Sequence, residues 1–338
     1  MSLFGMFSKD IAIDLGTANT LIYVKGQGIV LDEPSIVTYD VNTKKIVAIG
    51  DEAKKMMGRV HKELATIRPM KDGVIADFEI AEGMIKAFIK KISSNWMPAK
   101  RIVICVPSGI TEVEKRAVRD TAEHAGAKEV YLISEPMAAA IGIGIDVTAP
   151  YGNMIVDIGG GTTEIAVIAL SGMPTNYSIR IAGDELTDSI VRFFRNNHNI
   201  LIGERTAEEI KCQVGSVMPL EEEVIIEVKG RDLVAGVPKV TEVSSIEIRD
   251  ALNAPATQMI EAVKVALEKT APELSADLLE RGIFLTGGGA LIKGLDERIK
   301  METGVPVHVA DDPLTAVARG TGKVLEDLDF YKKVLIKR

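Results

Sequence analysis

Two apolar patterns alternate along the chain. Short runs rich in Val and Ile, of strand length, fall at 11–13, 21–24, 29–31, 102–106, 130–133, 154–156, 164–169, 283–285 and 305–309. Between them, apolar residues recur at helical spacing over 80–92, 112–125, 136–143, 185–196, 206–214, 255–270, 291–302 and 314–327. Start signals support several of these helices. Thr111 followed by Glu114 has capping-box spacing, and Pro136 suits a first helical turn. The stretch 219–243 alternates like strands and carries the acidic run Glu221-Glu222-Glu223, which predicts a small exposed sheet with a solvated face. Strands interleaved with helices predict an α/β architecture, and no low-complexity linker divides the chain.

One internal repeat stands out. Residues 11–24 lie on residues 154–167 without a gap, matching Asp14 with Asp157, Gly16 with Gly159, Thr20 with Thr163, Ile22 with Ile165 and Val24 with Val167. Each copy reads strand, Asp at the strand end, Gly-containing turn, strand. The two copies predict equivalent hairpins, one per domain, facing each other.

A turn of Gly and small hydroxyl residues exposes its backbone N–H groups, because no side chain shields them. Successive N–H groups of this kind form a nest suited to phosphate. Thr17, Asn19, Thr162 and Thr163 add side-chain donors, and Asp14 and Asp157 stand where Mg²⁺ would be held directly or through its waters. A third Gly-rich turn, Thr286-Gly-Gly-Gly-Ala290, follows a strand and is expected to open a helix whose N-terminus adds donors. No Gly-Lys-Ser/Thr follows it, so it is not a Walker A loop. Glu135 follows the strand 130–133 and precedes Pro136, which puts a carboxylate at the mouth of a parallel sheet where ligands bind in open α/β folds. From the residues alone it reads equally as a helix N-terminal acid favoured by the macrodipole.

Composition narrows the function classes. The 338 residues allow about two domains. Acidic residues outnumber basic ones 48 to 40, giving a net charge of −8, which argues against nucleic acid as the main partner. Cys105 and Cys212 are isolated in sequence and are expected to be reduced, buried thiols of a cytoplasmic protein. The four histidines show no metal-binding spacing, and no apolar run reaches the length of a bilayer-spanning helix.

Asp14-Leu-Gly-Thr-Ala-Asn-Thr20, Glu135-Pro-Met-Ala-Ala-Ala-Ile-Gly142, Asp157-Ile-Gly-Gly-Gly-Thr-Thr163 and Leu285-Thr-Gly-Gly-Gly-Ala-Leu291 occur in the order of the actin, sugar-kinase and heat-shock-chaperone ATPase superfamily, which the chain resembles from about residue 9 to about residue 326. Arg68-Pro-Met-Lys-Asp-Gly-Val-Ile-Ala-Asp-Phe78, Ile202-Gly-Glu-Arg-Thr-Ala-Glu-Glu209 and Pro272-Glu-Leu-Ser-Ala-Asp277 bring it closer still to the bacterial actins that shape rod cells. The resemblance implies an actin-like ATPase fold: duplicated ribonuclease-H-like domains with small inserted subdomains around a nucleotide cleft. The implied division is 1–33, 67–146 and 311–338 (IA), 34–66 (IB), 147–181 and 240–310 (IIA), and 182–239 (IIB).

Carried onto this sequence, the resemblance implies ATP and Mg²⁺ as cofactors. Asp14, Gly16, Thr17, Ala18 and Asn19 would line the first phosphate loop, and Gly159, Gly160 and Gly161 the second. Glu208, Glu209, Ile210 and Lys211 would flank the nucleoside, with Gly287, Gly288, Gly289 and Ala290 beneath it. Glu135 would orient or deprotonate the attacking water, with Thr162 as a second water-positioning group, and Asp14 and Asp157 would hold the metal. The same resemblance implies a slow ATPase that polymerises with itself. It also implies filaments on the inner face of the cell membrane, working with membrane proteins of cell-wall elongation. Leu3, Phe4, Met6 and Phe7, and the loop residues Trp96 and Met97, are the expected membrane contacts. A small-molecule (sugar) kinase on the same fold is the alternative.

Overall fold

The computed structural model describes residues 10–92 and 101–337. Its frame is two five-stranded sheets with one strand order. In the first, Gly28–Pro34, Asn19–Val24 and Ile11–Leu15 run antiparallel, and Arg101–Val106 and Glu129–Ser134 then extend the sheet in parallel. In the second, Gly172–Ile179, Thr163–Ala169 and Asn153–Ile158 are antiparallel, followed by parallel Ile283–Thr286 and Val307–Val309. The repeat in the sequence is therefore a repeat of topology.

Burial explains which runs look continuous and which alternate. Asn153–Ile158 and Thr163–Ala169 are buried at every position, as strands covered on both faces must be, whereas the edge strand Gly28–Pro34 alternates. One apolar core fills the first half around Met84, Ile85 and Phe88, and another fills the second around Ile190, Phe194 and Leu252. A third core lies between the sheets. There the helices Glu135–Gly142 and Ala316–Glu326 pack with Ala12 and Val103 of one sheet and Ile155, Ala166 and Ile168 of the other. These helices cross with backbone against backbone. A Cβ added to Gly142 would sit 1.8 Å from the Ala316 carbonyl oxygen, and one on Gly320 would sit 1.7 Å from that of Ala138.

Each half carries a small insertion. Ile46–Ile49, Val37–Asp40 and Leu64–Ile67 form a three-stranded sheet beside the helix Gly50–Met56. In the second half, Ile200–Leu201, Ile225–Asp232 and Pro238–Ser244 form another, which accounts for the alternation over 219–243. It lies beside the helices Gly183–Asn197 and Glu204–Val214.

Three expectations need correction. The helix expected over 255–270 begins at Ser245, where Ser244 and Glu247 make a capping box, and Pro255 lies inside it. The apolar stripe Ile248, Leu252, Ala256, Met259 and Ile260 runs through Pro255, so packing outweighs one lost backbone hydrogen bond. The expected helix over 291–302 is instead a 3₁₀ turn, Gly288–Leu291, followed by the helix Leu295–Thr303. Gly294 (φ 77°) separates them, where a Cβ would come within 2.6 Å of the Met218 Cβ. Cys105 is buried as expected, but Cys212 is exposed on its helix.

Candidate functional site

A cavity of about 760 Å³ lies between the halves, and nearly every expected site residue lines it. Asp14, Gly16, Thr17, Ala18 and Asn19 come from the first hairpin, and Asp157, Gly159, Gly160, Gly161 and Thr162 from the second. Glu135, Glu208, Glu209, Lys211 and Gly287 to Gly289 also line it, whereas Thr163, expected as a donor, is fully buried and donates its hydroxyl to the Ile181 carbonyl at 2.7 Å. Ile210 and Ala290 do not belong to that lining. Both are 4% exposed and sit in the core of the second half, because their neighbours on a helix and a 3₁₀ turn take the outward positions. Leu3, Phe4, Met6, Phe7, Trp96 and Met97 lie outside the described residues.

Both hairpin turns are braced through their carbonyls. In the first, Ser35 donates its hydroxyl to the Gly16 carbonyl at 2.7 Å and its N–H to that of Ala18 at 2.9 Å. In the second, the first amides of the helix Gly183–Asn197 do the same work: Gly183 N–H donates to the Gly159 carbonyl at 3.1 Å and Asp184 N–H to that of Gly160 at 2.8 Å. Among the described residues no acceptor engages the N–H groups of Thr17, Ala18, Gly160 or Gly161. Fixed carbonyls with free amides are the requirement for an anion nest.

The turns also touch. A Cβ on Gly160 would lie 2.9 Å from the Ala18 Cβ, and one on Gly161 would lie 2.8 Å from the Thr17 Oγ1 and from the backbone of Asp72. Asp72 (φ 52°) and Gly73 (φ 76°) form the tip of a two-residue hairpin between Met70–Lys71 and Val74–Ile75. The Gly73 N–H donates to the Thr17 Oγ1 at 3.0 Å. The third Gly-rich turn packs against the same strand end: a Cβ on Gly287 (φ 78°) would be 2.4 Å from the Ile158 carbonyl oxygen, so only Gly fits there.

The carboxylates crowd one another. Burial lifts Asp157 to about 7, with the Asp14 charge adding to it and a 3.0 Å hydrogen bond from the Thr286 hydroxyl opposing it. Burial lifts Asp14 to about 6 against the hydrogen bond donated by the Cys105 thiol at 3.1 Å. Burial pushes Glu135 well above the usual carboxylate range, and the charges of Glu164, Asp157 and Asp14 push the same way. Burial drives the Cys105 thiol upward too. This region is short of positive charge and offers hard oxygen donors, which fits a hard divalent cation. Among the described residues no three acidic, His or Cys side chains close into a cage. Mg²⁺ needs none, since it is held by one or two carboxylates plus waters and phosphate oxygens.

On the far wall, buried Lys211 donates to the Gly183 carbonyl at 2.9 Å and the Thr187 hydroxyl at 3.0 Å, and pairs with Glu208 at 2.6 Å. The sequence reading missed two features. Arg68, from the first half, reaches Glu204 of the second at 2.9 Å and bridges the cleft. Nothing local announces that pair, since 136 residues separate the partners. The Asp72–Gly73 turn did carry a signal, Asp-Gly being a common two-residue hairpin turn.

Comparison with known proteins agrees with this geometry. The chain is 54% identical over 333 residues to the cell shape-determining protein MreB of Escherichia coli (strain K12), covering 97% of this chain and 96% of that protein. It is 49% identical over 329 residues to the cell shape-determining protein Mbl of Bacillus subtilis (strain 168), covering 97% and 99%. A crystal structure of MreB5 of Spiroplasma citri bound to AMPPNP superposes with a TM-score of 0.91 at 37% identity, covering 97% of this chain and 98% of that one. The fold is thus the actin-like ATPase fold, and these relatives are named for cell shape rather than as kinases. The family model for the MreB/Mbl protein matches residues 8–333, and the chain belongs to the MreB/Mbl family.

Proposed function

We propose that this cell-shape protein binds ATP with Mg²⁺ in the cleft and hydrolyses it as it assembles into filaments at the inner face of the cell membrane. The observation that carries the reading is the pair of facing turns with engaged carbonyls and free amides, next to carboxylates in need of a cation. The MreB5 structures bound to AMPPNP and to ADP support a nucleotide as the ligand. The division proposed for the chain is 1–33, 67–146 and 311–338 against 147–181 and 240–310, with 34–66 and 182–239 as the two insertions.

In this reading the amides of Thr17, Ala18, Gly160 and Gly161 hold phosphate oxygens, and Lys211 with Glu208 and Glu209 frames the nucleoside. Asp14 and Asp157 would hold Mg²⁺, which when bound supplies charge neutralisation on the phosphates. Glu135 takes a proton from a water whose oxygen attacks the γ-phosphorus. The bond from that phosphorus to the β–γ bridging oxygen breaks, the bridging oxygen keeps the electron pair, and ADP and phosphate result. Burial and the neighbouring carboxylates raise the proton affinity of Glu135, and a cation beside Asp14 and Asp157 would offset those charges and leave a carboxylate able to accept that proton. Thr162, on the cavity wall, helps to orient the water. Self-assembly, attachment through Leu3, Phe4, Met6, Phe7, Trp96 and Met97, and contact with membrane proteins of cell-wall elongation belong to the same proposal. They rest on the family and on the sequence.

The test combines phosphate release with electron microscopy on a lipid monolayer. Glu135→Ala should still bind ATP but release phosphate at least about 100-fold more slowly. Unchanged release removes Glu135 from the mechanism. Wild-type protein with Mg-ATP should form filaments on the monolayer, and protein lacking residues 1–7 should leave it mostly bare. Equal coverage by both would discard the anchor.

A further inference from the structure

The duplication breaks at one telling position. In the first hairpin the residue paired across the strands from Asp14 is Leu21, whereas in the second the partner of Asp157 is Glu164. Two carboxylates facing each other across an antiparallel pair repel, and Glu164 is fully buried, at 0% exposure. A buried carboxylate persists only when its oxygens find donors. Glu164 finds three. The Ser178 hydroxyl donates to one oxygen at 2.5 Å, while Ser108 donates both its backbone N–H, at 3.0 Å, and its hydroxyl to the other.

These donors come from different halves of the molecule. Ser178 lies on the neighbouring strand Gly172–Ile179, but Ser108 lies in loop 107–110 of the first half, between Arg101–Val106 and the helix Glu112–His124. That loop carries Pro107, whose Cγ would be 2.7 Å from a Cβ placed on Gly73; the Thr162 Cγ2 would be 3.1 Å from the same point. The Gly73 N–H in turn bonds Thr17 of the first phosphate turn. A contact path therefore runs from Glu164 through Ser108 and Pro107 to Gly73, where Thr17 and Thr162 meet. Glu164 is not among the residues lining the cavity.

We propose that Glu164 is a positioning residue for hydrolysis, tying loop 107–110 of the first half to the second hairpin so that Thr162 is held facing the γ-phosphate. The inference rests on the hydrolysis reading above. The equivalent place in the first hairpin needs no carboxylate, since Leu21 stands there on the cavity wall. A local rule broken at one of two equivalent positions marks that position for function.

The test uses the full chain and compares wild type, Glu135→Ala, Glu164→Gln and the double variant Ser108→Ala/Ser178→Ala. AMPPNP affinity and single-turnover phosphate release are measured for each. Glu164→Gln should bind AMPPNP within about threefold of wild type yet release phosphate roughly 10- to 100-fold more slowly, the loss expected when reacting groups are slightly misplaced. The serine variant, which keeps the carboxylate and loses two donors, should show the same split at about tenfold. Wild-type release from either variant overturns the proposal, and so does a parallel loss of affinity and rate, which marks a purely structural part. If Glu164→Gln fails to fold, the serine variant alone decides. A wild-type protein that releases no phosphate sinks the hydrolysis reading, whereas release by wild type and Glu164→Gln at one rate sinks only this inference.

Discussion

The two hairpins share strand order, an aspartate next to the strand end and a turn held by its carbonyls, yet their turns are built differently. The first, Gly16-Thr17-Ala18, keeps side chains and is braced by one serine of its own half. The second, Gly159-Gly160-Gly161, has none and is braced by a helix start. The contact between them explains the difference. Gly160 and Gly161 lie where any Cβ would strike Ala18, Thr17 or Asp72, while Gly159 has nothing nearer than the Thr162 carbonyl at 3.5 Å. The second turn is bare because the first is not. A pseudosymmetric site thus needs asymmetric sequences, since two identical turns with side chains could not approach this closely.

The largest test of that contrast is to impose symmetry where charge differs. Leu21→Glu would bury a carboxylate opposite Asp14 without the serine donors that Glu164 enjoys. It should lower stability by about 3–5 kcal/mol in chemical denaturation. A loss under about 1 kcal/mol would show that the first hairpin supplies donors of its own. A middle-sized effect comes from the glycines: Gly161→Ala should cost about 2 kcal/mol and weaken AMPPNP binding, against less than about 0.5 kcal/mol for Gly159→Ala. Equal effects would mean that the contact between the turns is not what demands the bare sequence.

An effect of similar size lies in pH. Asp157 and Asp14 are raised from 3.8 to about 7 and about 6, so the folded protein binds more protons than the unfolded chain between those values. Stability then falls as pH rises from about 4 to about 7. Ligand-free protein should melt a few degrees lower at about pH 7.5 than at about pH 5.5. Asp157→Asn should flatten that slope more than Asp14→Asn does. The reverse order would place the costlier burial of a carboxylate in the first hairpin.

Much of this was legible in the sequence. The strand–Asp–Gly–strand repeat located both turns, and apolar periodicity located the helices that bracket them. The burial of Ile210 and Ala290 was not legible, because which face of a short element looks outward depends on what packs behind it. The Arg68–Glu204 bridge was hidden for the same reason, being set by tertiary distance rather than local pattern. Pro255 misled by a local rule: proline favours helix starts, but a continuous apolar stripe carried this helix through it. Glu164 was visible all along as the one charge in a fully buried strand, and only its cross-strand register with Asp157 gave that charge meaning.

The crossing at Gly142 and Gly320 sets how such a molecule can open. The two helix backbones touch there, and the Lys323 Nζ of one donates to the Ile141 and Gly142 carbonyls of the other at 2.9 and 3.2 Å, so little is available to compress or stretch and a movement of the halves would be chiefly a swivel about that point. A swivel of a few degrees at the crossing becomes a displacement of ångströms at the far rim of the cleft. A single methyl group at either glycine would meet a backbone carbonyl like grit in a bearing, so Gly142→Ala or Gly320→Ala should lower stability by more than Gly161→Ala does and alter nucleotide exchange as well.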